Sequence, residues 1–356
     1  MPIFKNKKKV INNFFFAIPK YFQKDTHLIF FAPVQFHFEH IKPIVKQFVN
    51  HPKVIIHIVG TIDTSSLEVK NNFRYWQSLA QLPKHIKYAF CLTTELETPW
   101  WLDVTTIFFG HGIGPKINYQ ASANLNNFDY CFAPCRAIYD AQQPYDVKVL
   151  KGGLPSLEHI EASAEPIREY FGFNNTLPII VYAPSWNSQK HLISDIVGIV
   201  TALNQVIDYN VIICPHPLLL DSKRYEHHKI FDDLTIAVND QKSGLNTLQI
   251  CFLADIVISD ISSILFESLA LEKCVFLDGN DEVYRESGAI NVLNELRKEV
   301  PVLKFDTSLQ AQLKAGFETY VPNTQFIQHY LFNKDCATNT CERQLIEIME
   351  AENNTT

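Results

Sequence analysis

The sequence lacks any apolar run that approaches the ~18 residues a membrane-spanning helix needs. It also lacks a convincing secretory signal, because the apolar stretch near its start is very short and Pro19 follows directly. A basic excess is missing too, since the formal net charge is −7, and this argues against a general nucleic-acid binder. We therefore expect no membrane-spanning helix and no nucleic-acid partner.

Paired cysteines are also missing. The eight cysteines are scattered, none forms a CxxC pair, and several lie inside apolar runs typical of strands. This usage indicates small buried side chains in a reducing compartment rather than a disulfide framework. Because no matched Cys or His pairs occur, we predict no metal site.

Acidic residues are missing from the first 24 residues, which carry six lysines and six aromatic side chains. Basic residues combined with aromatic ones are typical of a segment that lies on an anionic membrane surface. A solvated basic tail followed by an ordinary apolar helix explains the same composition equally well, so both interpretations stay open.

The rest of the chain has the composition of a globular protein, with 47% hydrophobic and 19% charged residues. Its 356 residues suit two domains. Short apolar runs alternate with helical patterns, which predicts an α/β fold with parallel sheets. The predicted strands are 27–31, 54–59, 87–92, 105–109, 130–133 and 147–150 in the first half, and 179–182, 211–214, 235–238, 255–259 and 275–277 in the second.

We predict four segments along the chain. Residues 1–25 form the basic and aromatic segment, 26–155 an acceptor-side Rossmann-like domain, 156–335 a nucleotide-binding Rossmann-like domain, and 336–356 a final helix and tail. Two doubly wound units of this size leave a cleft between the carboxyl ends of their sheets, where ligands bind.

Polar residues follow four of the predicted strands, at the edges that would line this cleft: His111, Ser185, His216 and Asp260. His111 lies between Gly110 and Gly112, and an exposed imidazole titrates near pH 6.5, where a general base must operate. Lys116 follows five residues later and is placed to meet a phosphate of an acceptor. The alternative is a loop histidine without a role.

The other two strand ends have stiff turns. In the sequence CPHP, His216 stands between Pro215 and Pro217, which restrict the backbone on both sides. Either a diphosphate-binding histidine or a purely structural one fits that context. The turn YAPSW presents Ser185 and Trp186.

A helix start with two hydroxyls, Ser262 and Ser263, follows the strand that ends before Asp260, and Glu267 comes one turn later. Free N–H groups and the positive end of a helix dipole suit a phosphate at such a place. The simpler interpretation is that Asp260 or Ser262 only caps the helix.

GHGIGPK, YAPSW, PHP and SDISSILFE, in this order, resemble the CDP-glycerol glycerophosphotransferases of teichoic-acid and capsule assembly. The resemblance extends over roughly residues 105–350. The chain departs from the family pattern after its His-Gly, where it has Ile113, Gly114 and Pro115, and after its Trp, where it has Asn187. These departures bear on the acceptor and the alditol more than on the nucleotide.

The resemblance implies a GT-B type fold, no cofactor or metal, and peripheral attachment to the cytoplasmic face of the cell membrane. It implies that His111 is the base, with Gly112 beside it, that His216, Ser262 and Ser263 hold the diphosphate of CDP, and that Glu267 lies near the ribose. The donor would be CDP-glycerol or CDP-ribitol, the acceptor a hydroxyl of a polymer or lipid-linked saccharide, and CMP would be released.

Two other functions compete with this one. A glycosyltransferase or epimerase that uses a nucleotide sugar has the same fold and a similar nucleotide site. A non-catalytic, membrane-associated binding protein would keep the cleft without turnover, but the presence of both His111 and His216 speaks against it.

Overall fold

The structure is a computed structural model. It describes residues 26–355 except 52, 66, 68–71, 85, 87–88, 100, 115–119, 159, 161–163, 175, 186–195, 217–235, 241, 243, 280–284 and 286–289. The basic and aromatic segment 1–25 therefore lies outside the described residues, as do Lys116 and Trp186.

The first sheet has seven parallel strands in the order β3-β2-β1-β4-β5-β6-β7. The strands are β1 Thr26–Val34, β2 Val54–Thr61, β3 Phe73–Trp76, β4 Ala89–Thr93, β5 Val104–Phe108, β6 Tyr130–Ala133 and β7 Lys148–Lys151. The order reverses between β1 and β4, and such a reversal opens a crevice at the carboxyl ends of the strands.

The second sheet has five parallel strands in the order β10-β9-β8-β11-β12. Its strands are β8 Ile179–Ala183, β9 Asn210–Ile213, β10 Ala237–Val238, β11 Ile256–Ser259 and β12 Cys274–Leu277. Here the order reverses between β8 and β11. Near-continuous apolar sequences form these strands because helices cover both faces of a parallel sheet.

Ten α-helices accompany the two sheets within the described part of the chain. They are α1 Gln35–Phe48, α2 Arg136–Gln142, α3 Ala164–Tyr170, α4 Ile196–Leu203, α5 Thr247–Leu253, α6 Ser263–Ala270, α7 Ile290–Glu299, α8 Leu309–Thr319, α9 Thr324–Tyr330 and α10 Ala337–Thr355. None of the helices described is both long and apolar enough to cross a membrane.

The last helix, α10, follows the second sheet in sequence but packs on the first. Its buried Leu345, Ile348 and Met349 share one apolar cluster with Phe38 and Ile41 of α1. The final helix lies within the predicted range 336–356 and extends to Thr355. It therefore ties the end of the chain to the sheet with which the chain begins.

The α/β class with parallel sheets is confirmed, and eleven of the twelve strands were predicted from the apolar runs. The strand that the sequence missed is β3, FRYW, at the edge of the first sheet, where two of its four side chains are exposed. Seven of the eight cysteines are buried and all eight are free, as their apolar contexts indicated.

Candidate active site

The two points at which strand order reverses carry most of the polar residues of interest. At the first reversal, β1 leads into α1 and its Phe36 and His37, β4 leads into Glu95, and the neighbouring β5 leads into His111. At the second, β8 leads into Ser185 and β11 into Asp260. The fold thus collects these side chains at the edges where α/β proteins bind ligands.

His111 is half-buried, and its ring is fixed by the backbone of the adjacent loop. Its Nδ1 lies 3.1 Å from the carbonyl oxygen of Thr94. A carbonyl only accepts hydrogen bonds, so Nδ1 must carry the proton and donate it. The neutral ring then keeps its lone pair on Nε2, which is the basic nitrogen of the ring.

Two further aromatic rings lie against His111. The His37 ring stacks on it with centroids 3.8 Å apart and an interplanar angle of 19°. The Phe36 ring lies edge-on to His111 at 6.1 Å and edge-on to His216 at 6.2 Å. The structure thus brings the two sequence-predicted histidines to one aromatic ring, although they are separated by more than a hundred residues.

Burial decides which histidines in this group are uncharged. Burial, with smaller contributions from His111, His40 and His216, lowers the pKa of His37 to about 2. Burial likewise lowers the pKa of His40 to about 3, with a contribution from His111. His37 and His40 are therefore neutral at physiological pH, which leaves His111 and His216 as the histidines available for proton transfer or for binding an anion.

The glycine-containing loop that carries His111 touches the start of α6 across the cleft. The Gly114 N–H donates to Ser263 Oγ at 3.1 Å. Gly112 has φ +79°, and a Cβ placed on it would lie 2.8 Å from Ser263 Cβ and closer still to Ser263 Oγ. Only glycine allows this approach, so the loop sequence and the helix start are matched to each other.

Hydrogen bonds from buried side chains also hold this loop in place. Gln120 Nε2 donates to the Gly112 carbonyl at 3.3 Å, and Gln142 Nε2 donates to the Gln120 carbonyl at 3.0 Å. Tyr330 of α9 donates its hydroxyl to the Ile113 carbonyl at 3.1 Å and stacks on Phe266 of α6 at 4.9 Å. Tyr330 thereby joins the loop to the helix that it faces.

The turn before α6 is built by Asp260. Its Oδ1 accepts from Ser185 Oγ at 2.5 Å and from the Ser262 N–H at 3.0 Å, and its Oδ2 accepts from the Ser185 N–H at 2.9 Å. Asp260 and Ser185 are buried. The geometry gives both a role in holding the helix start in place, and their contact with a substrate stays a prediction.

Ser262 and Ser263 are both partly exposed at the first turn of α6. Ser262 Oγ caps the helix by accepting from the Ile264 N–H at 3.3 Å, as the simpler interpretation of the sequence expected. The remaining N–H groups of the first turn and the positive end of the helix dipole face the cleft edge, which is the environment that binds a phosphate.

Glu267 lies one turn into α6 and is only 2% exposed. Burial raises the pKa of its carboxyl to about 7. Among the described residues, no group hydrogen-bonds to this carboxylate, and its Oε1 lies 3.4 Å from where a Cβ on Gly112 would stand. Glu267 is thus a buried acceptor next to the loop, without a protein donor among those residues.

His37, Glu95 and His111 each offer one metal-ligand atom, and the three atoms lie within 4.8 Å of one another. The two imidazole planes are nearly parallel, however, so their in-plane lone pairs do not converge on one point. A shared ion would require one ring to rotate out of the stack. The arrangement fits a stacked histidine pair better than a metal centre.

The sequence missed the residues that surround His111: Phe36, His37, His40 and Glu95. A signal was present, because FHFEH directly follows β1 and TTELE contains the end of β4, so both are strand ends like the four that were noticed. The helical spacing of apolar residues in FHFEH indicates an ordinary amphipathic helix, so its place at a strand end was not noticed.

Comparison with protein families now adds to this geometry. The model of the family described as CDP-glycerol:poly(glycerophosphate) glycerophosphotransferase matches residues 111–325, from His111 through the second sheet. The chain belongs to this family. It is accordingly a transferase enzyme, and the matched range contains His111, His216 and the start of α6. None of the curated protein sequences compared with it matches the chain.

Solved structures similar to the chain are GT-B type folds. A variant of the wall teichoic acid polymerase TagF soaked with CDPG is 14% identical with a TM-score of 0.57, over 92% of this chain and 90% of that one. A putative UDP-N-acetylglucosamine 2-epimerase from Listeria monocytogenes is 11% identical with a TM-score of 0.60, over 94% and 98% of the two chains. At these identities the likeness concerns the fold, and the chain has the GT-B fold.

Proposed function

We propose that the protein transfers an alditol phosphate, most simply glycerol phosphate, from a CDP-activated donor to a hydroxyl of a surface-polymer acceptor and releases CMP. The observation that carries the proposal is the contact of the His111 loop with the start of α6, through the Gly114 N–H and Ser263 Oγ at 3.1 Å. That contact brings a base next to a phosphate-binding helix start, within the range matched by the glycerophosphotransferase family.

The reaction needs little beyond these parts. The acceptor hydroxyl gives its proton to Nε2 of His111 as its oxygen bonds to the phosphorus that carries the alditol. The bond from that phosphorus to the bridging oxygen breaks, and CMP leaves with the electron pair. Phosphoryl transfer depends mainly on positioning and charge stabilisation, and a phosphate is a good leaving group without an acid.

On the donor side, we assign the diphosphate to the first turn of α6 and to His216. Ser262 and Ser263 provide hydroxyls and N–H groups there, and His216 follows the end of β9 with its ring edge-on to Phe36 at 6.2 Å. Glu267 lacks a donor partner among the described residues, which supports the expectation that it accepts from the ribose of the donor. Ser185 and Asp260 support the same turn from below.

We also propose that the protein works at the inner face of the cell membrane, where lipid-linked acceptors for teichoic-acid or capsule polymers would be presented. The support is the composition of residues 1–24, with six lysines, six aromatic side chains and no acid. Such a segment binds anionic lipid surfaces through charge and shallow apolar insertion.

Identification of the released nucleotide tests the proposed function. The protein is incubated with CDP-glycerol, CDP-ribitol and several UDP-sugars, each with a lipid-linked saccharide acceptor. We expect CMP from a CDP-alditol and no nucleotide release from the UDP-sugars. UDP release, or epimerised UDP-sugar without release, would instead support the nucleotide-sugar alternative that the epimerase-like fold allows.

A further inference from the structure

Glu95 lies in a tight turn directly after β4, beside the histidine that the proposed function uses as a base. The Glu95 N–H donates to Thr93 Oγ1 at 3.0 Å, and Thr93 Oγ1 donates to the Glu95 carbonyl at 2.6 Å. Between these two residues, Thr94 accepts from His111 Nδ1. The turn therefore contacts His111 through its backbone and holds the Glu95 side chain at a fixed place next to it.

The Glu95 carboxylate reaches the histidine stack. Its Oε1 lies 3.1 Å from Nδ1 of His37, whose ring stacks on His111 at 3.8 Å. The ligand-type atoms of the three side chains lie within 4.8 Å of one another. At such a distance an opposite charge raises the pKa of an imidazole by about one unit or more.

Within the described part of the chain, Glu95 is the neighbour of His111 in this stack that can offset a positive charge. Burial lowers the pKa of His37 to about 2, so this ring is neutral and contributes no charge of its own. Glu95 is the acidic partner of the stack, whereas Glu97, two residues further along, is exposed. A cation formed on His111 is therefore balanced by Glu95.

We propose that Glu95 is a positioning residue for His111. When His111 takes the proton of the acceptor hydroxyl it becomes an imidazolium, and the carboxylate of Glu95 stabilises this cation. The proposal rests on the proposed role of His111. The proton stays on Nε2 of His111 during transfer and returns to solvent afterwards, while Glu95 supplies charge and takes no proton. His37 fills the space between them and keeps the His111 ring in its plane.

Glu95 must be ionised to stabilise the imidazolium of His111. Burial, with a smaller contribution from the neighbouring Glu97, raises the pKa of Glu95 to about 7. Among the residues that the structure describes, the titratable groups that face Glu95 are His37 from α1, His111 from the loop after β5 and Glu97 from its own segment. Transfer should therefore become faster as the pH rises through about 7.

NMR titration of the His111 ring tests the proposal without any need for turnover. Full-length protein with isotopically labelled histidine is titrated as wild type, Glu95→Gln and Glu97→Gln, and His111→Gln assigns the signal. We expect the pKa of His111 to fall by roughly one unit in Glu95→Gln and to stay near the wild-type value in Glu97→Gln, which removes an exposed carboxylate from the same segment.

Kinetics provides the second measurement. In Glu95→Gln we expect kcat to fall by roughly tenfold or more, in line with one unit of pKa, with KM for the donor little changed and the dependence on pH near 7 lost. An unchanged His111 pKa in a folded Glu95→Gln protein would overturn the proposal. If the pKa shifts but wild-type protein releases no CMP from any CDP-alditol, the positioning role stands and the proposed function fails.

Discussion

Gly112→Ala is the substitution that most sharply probes the contact between the His111 loop and α6. The new methyl group would lie 2.8 Å from Ser263 Cβ and closer to its Oγ, and the residue has φ +79°. The left-handed backbone alone costs about 1–2 kcal/mol for a residue with a Cβ. The overlap adds to this, because real Cβ atoms do not approach other atoms so closely, so the loop must move away from the helix.

Gly172→Ala is the matched control for the backbone term. Gly172 has φ +65°, lies in the exposed turn after α3, and a Cβ there meets nothing within 4 Å. Both variants should lose about 1–2 kcal/mol in the free energy of unfolding from the left-handed backbone. Only Gly112→Ala should lose more, and only it should lose activity, since a misplacement of about 1 Å costs up to ~10²-fold in rate.

The assays are denaturant unfolding and kcat/KM for CMP release from a CDP-alditol. A double variant, Gly112→Ala with Ser263→Gly, removes the blocking side chain and should recover part of the loss in stability, as a double-mutant cycle measures. If Gly112→Ala and Gly172→Ala are equally stable and equally active, the close approach of loop and helix would be refuted.

Three other expectations follow from the same structure. Ser262→Ala, Ser263→Ala and His216→Ala should each weaken binding of CDP-glycerol in calorimetry, because they remove groups at the proposed diphosphate site; wild-type affinity in all three would move that site elsewhere. The free energy of unfolding should fall from pH 7 to pH 5, because burial lowers the pKa of His57 to about 4 while an unfolded histidine takes up a proton near pH 6.5. His57→Gln, which can keep the hydrogen bonds with His27 and Trp76, should reduce the corresponding fall in denaturant midpoint. An identical fall in the variant would contradict this. Deleting residues 2–24 should reduce pelleting with anionic liposomes at low salt but leave transfer to a soluble acceptor largely intact; equal pelleting would show that membrane contact comes from elsewhere.

The sheets were predictable from the sequence because each buried parallel strand is a short apolar run between polar turns. The runs at β8, β9 and β11 are buried at every position, and their sequences contain almost no polar side chain. Edge strand β3 was missed since a strand with exposed positions, an arginine and only four residues has neither a continuous apolar run nor a long alternation.

The candidate site was predictable where a residue lies next to a strand end in an unusual turn. His111, His216 and the Ser262–Ser263 helix start were found in this way, and the structure brings His111 and His216 to the same ring, Phe36. His37 was missed because its segment reads as an ordinary amphipathic helix, and sequence spacing does not tell which side faces a cleft.

Contacts between residues far apart in sequence could not be predicted from the sequence. Tyr330 meets the Ile113 carbonyl from a position 217 residues away in sequence, and no local pattern marks such a contact. The pairing of Gly114 with Ser263 spans 149 residues in the same way. Only the fold, by joining two sheets and a returning final helix, makes these contacts.

The most direct measurement of the central claim is ³¹P NMR of the full-length protein with CDP-glycerol and a hydroxyl acceptor, compared with His111→Gln. Transfer by attack at phosphorus predicts that a new phosphodiester signal and CMP increase together in equal amounts, and that this increase is lost or slowed by ~10²–10⁴-fold in His111→Gln. CMP that increases equally fast in the variant, or that increases with no phosphodiester, would contradict the account.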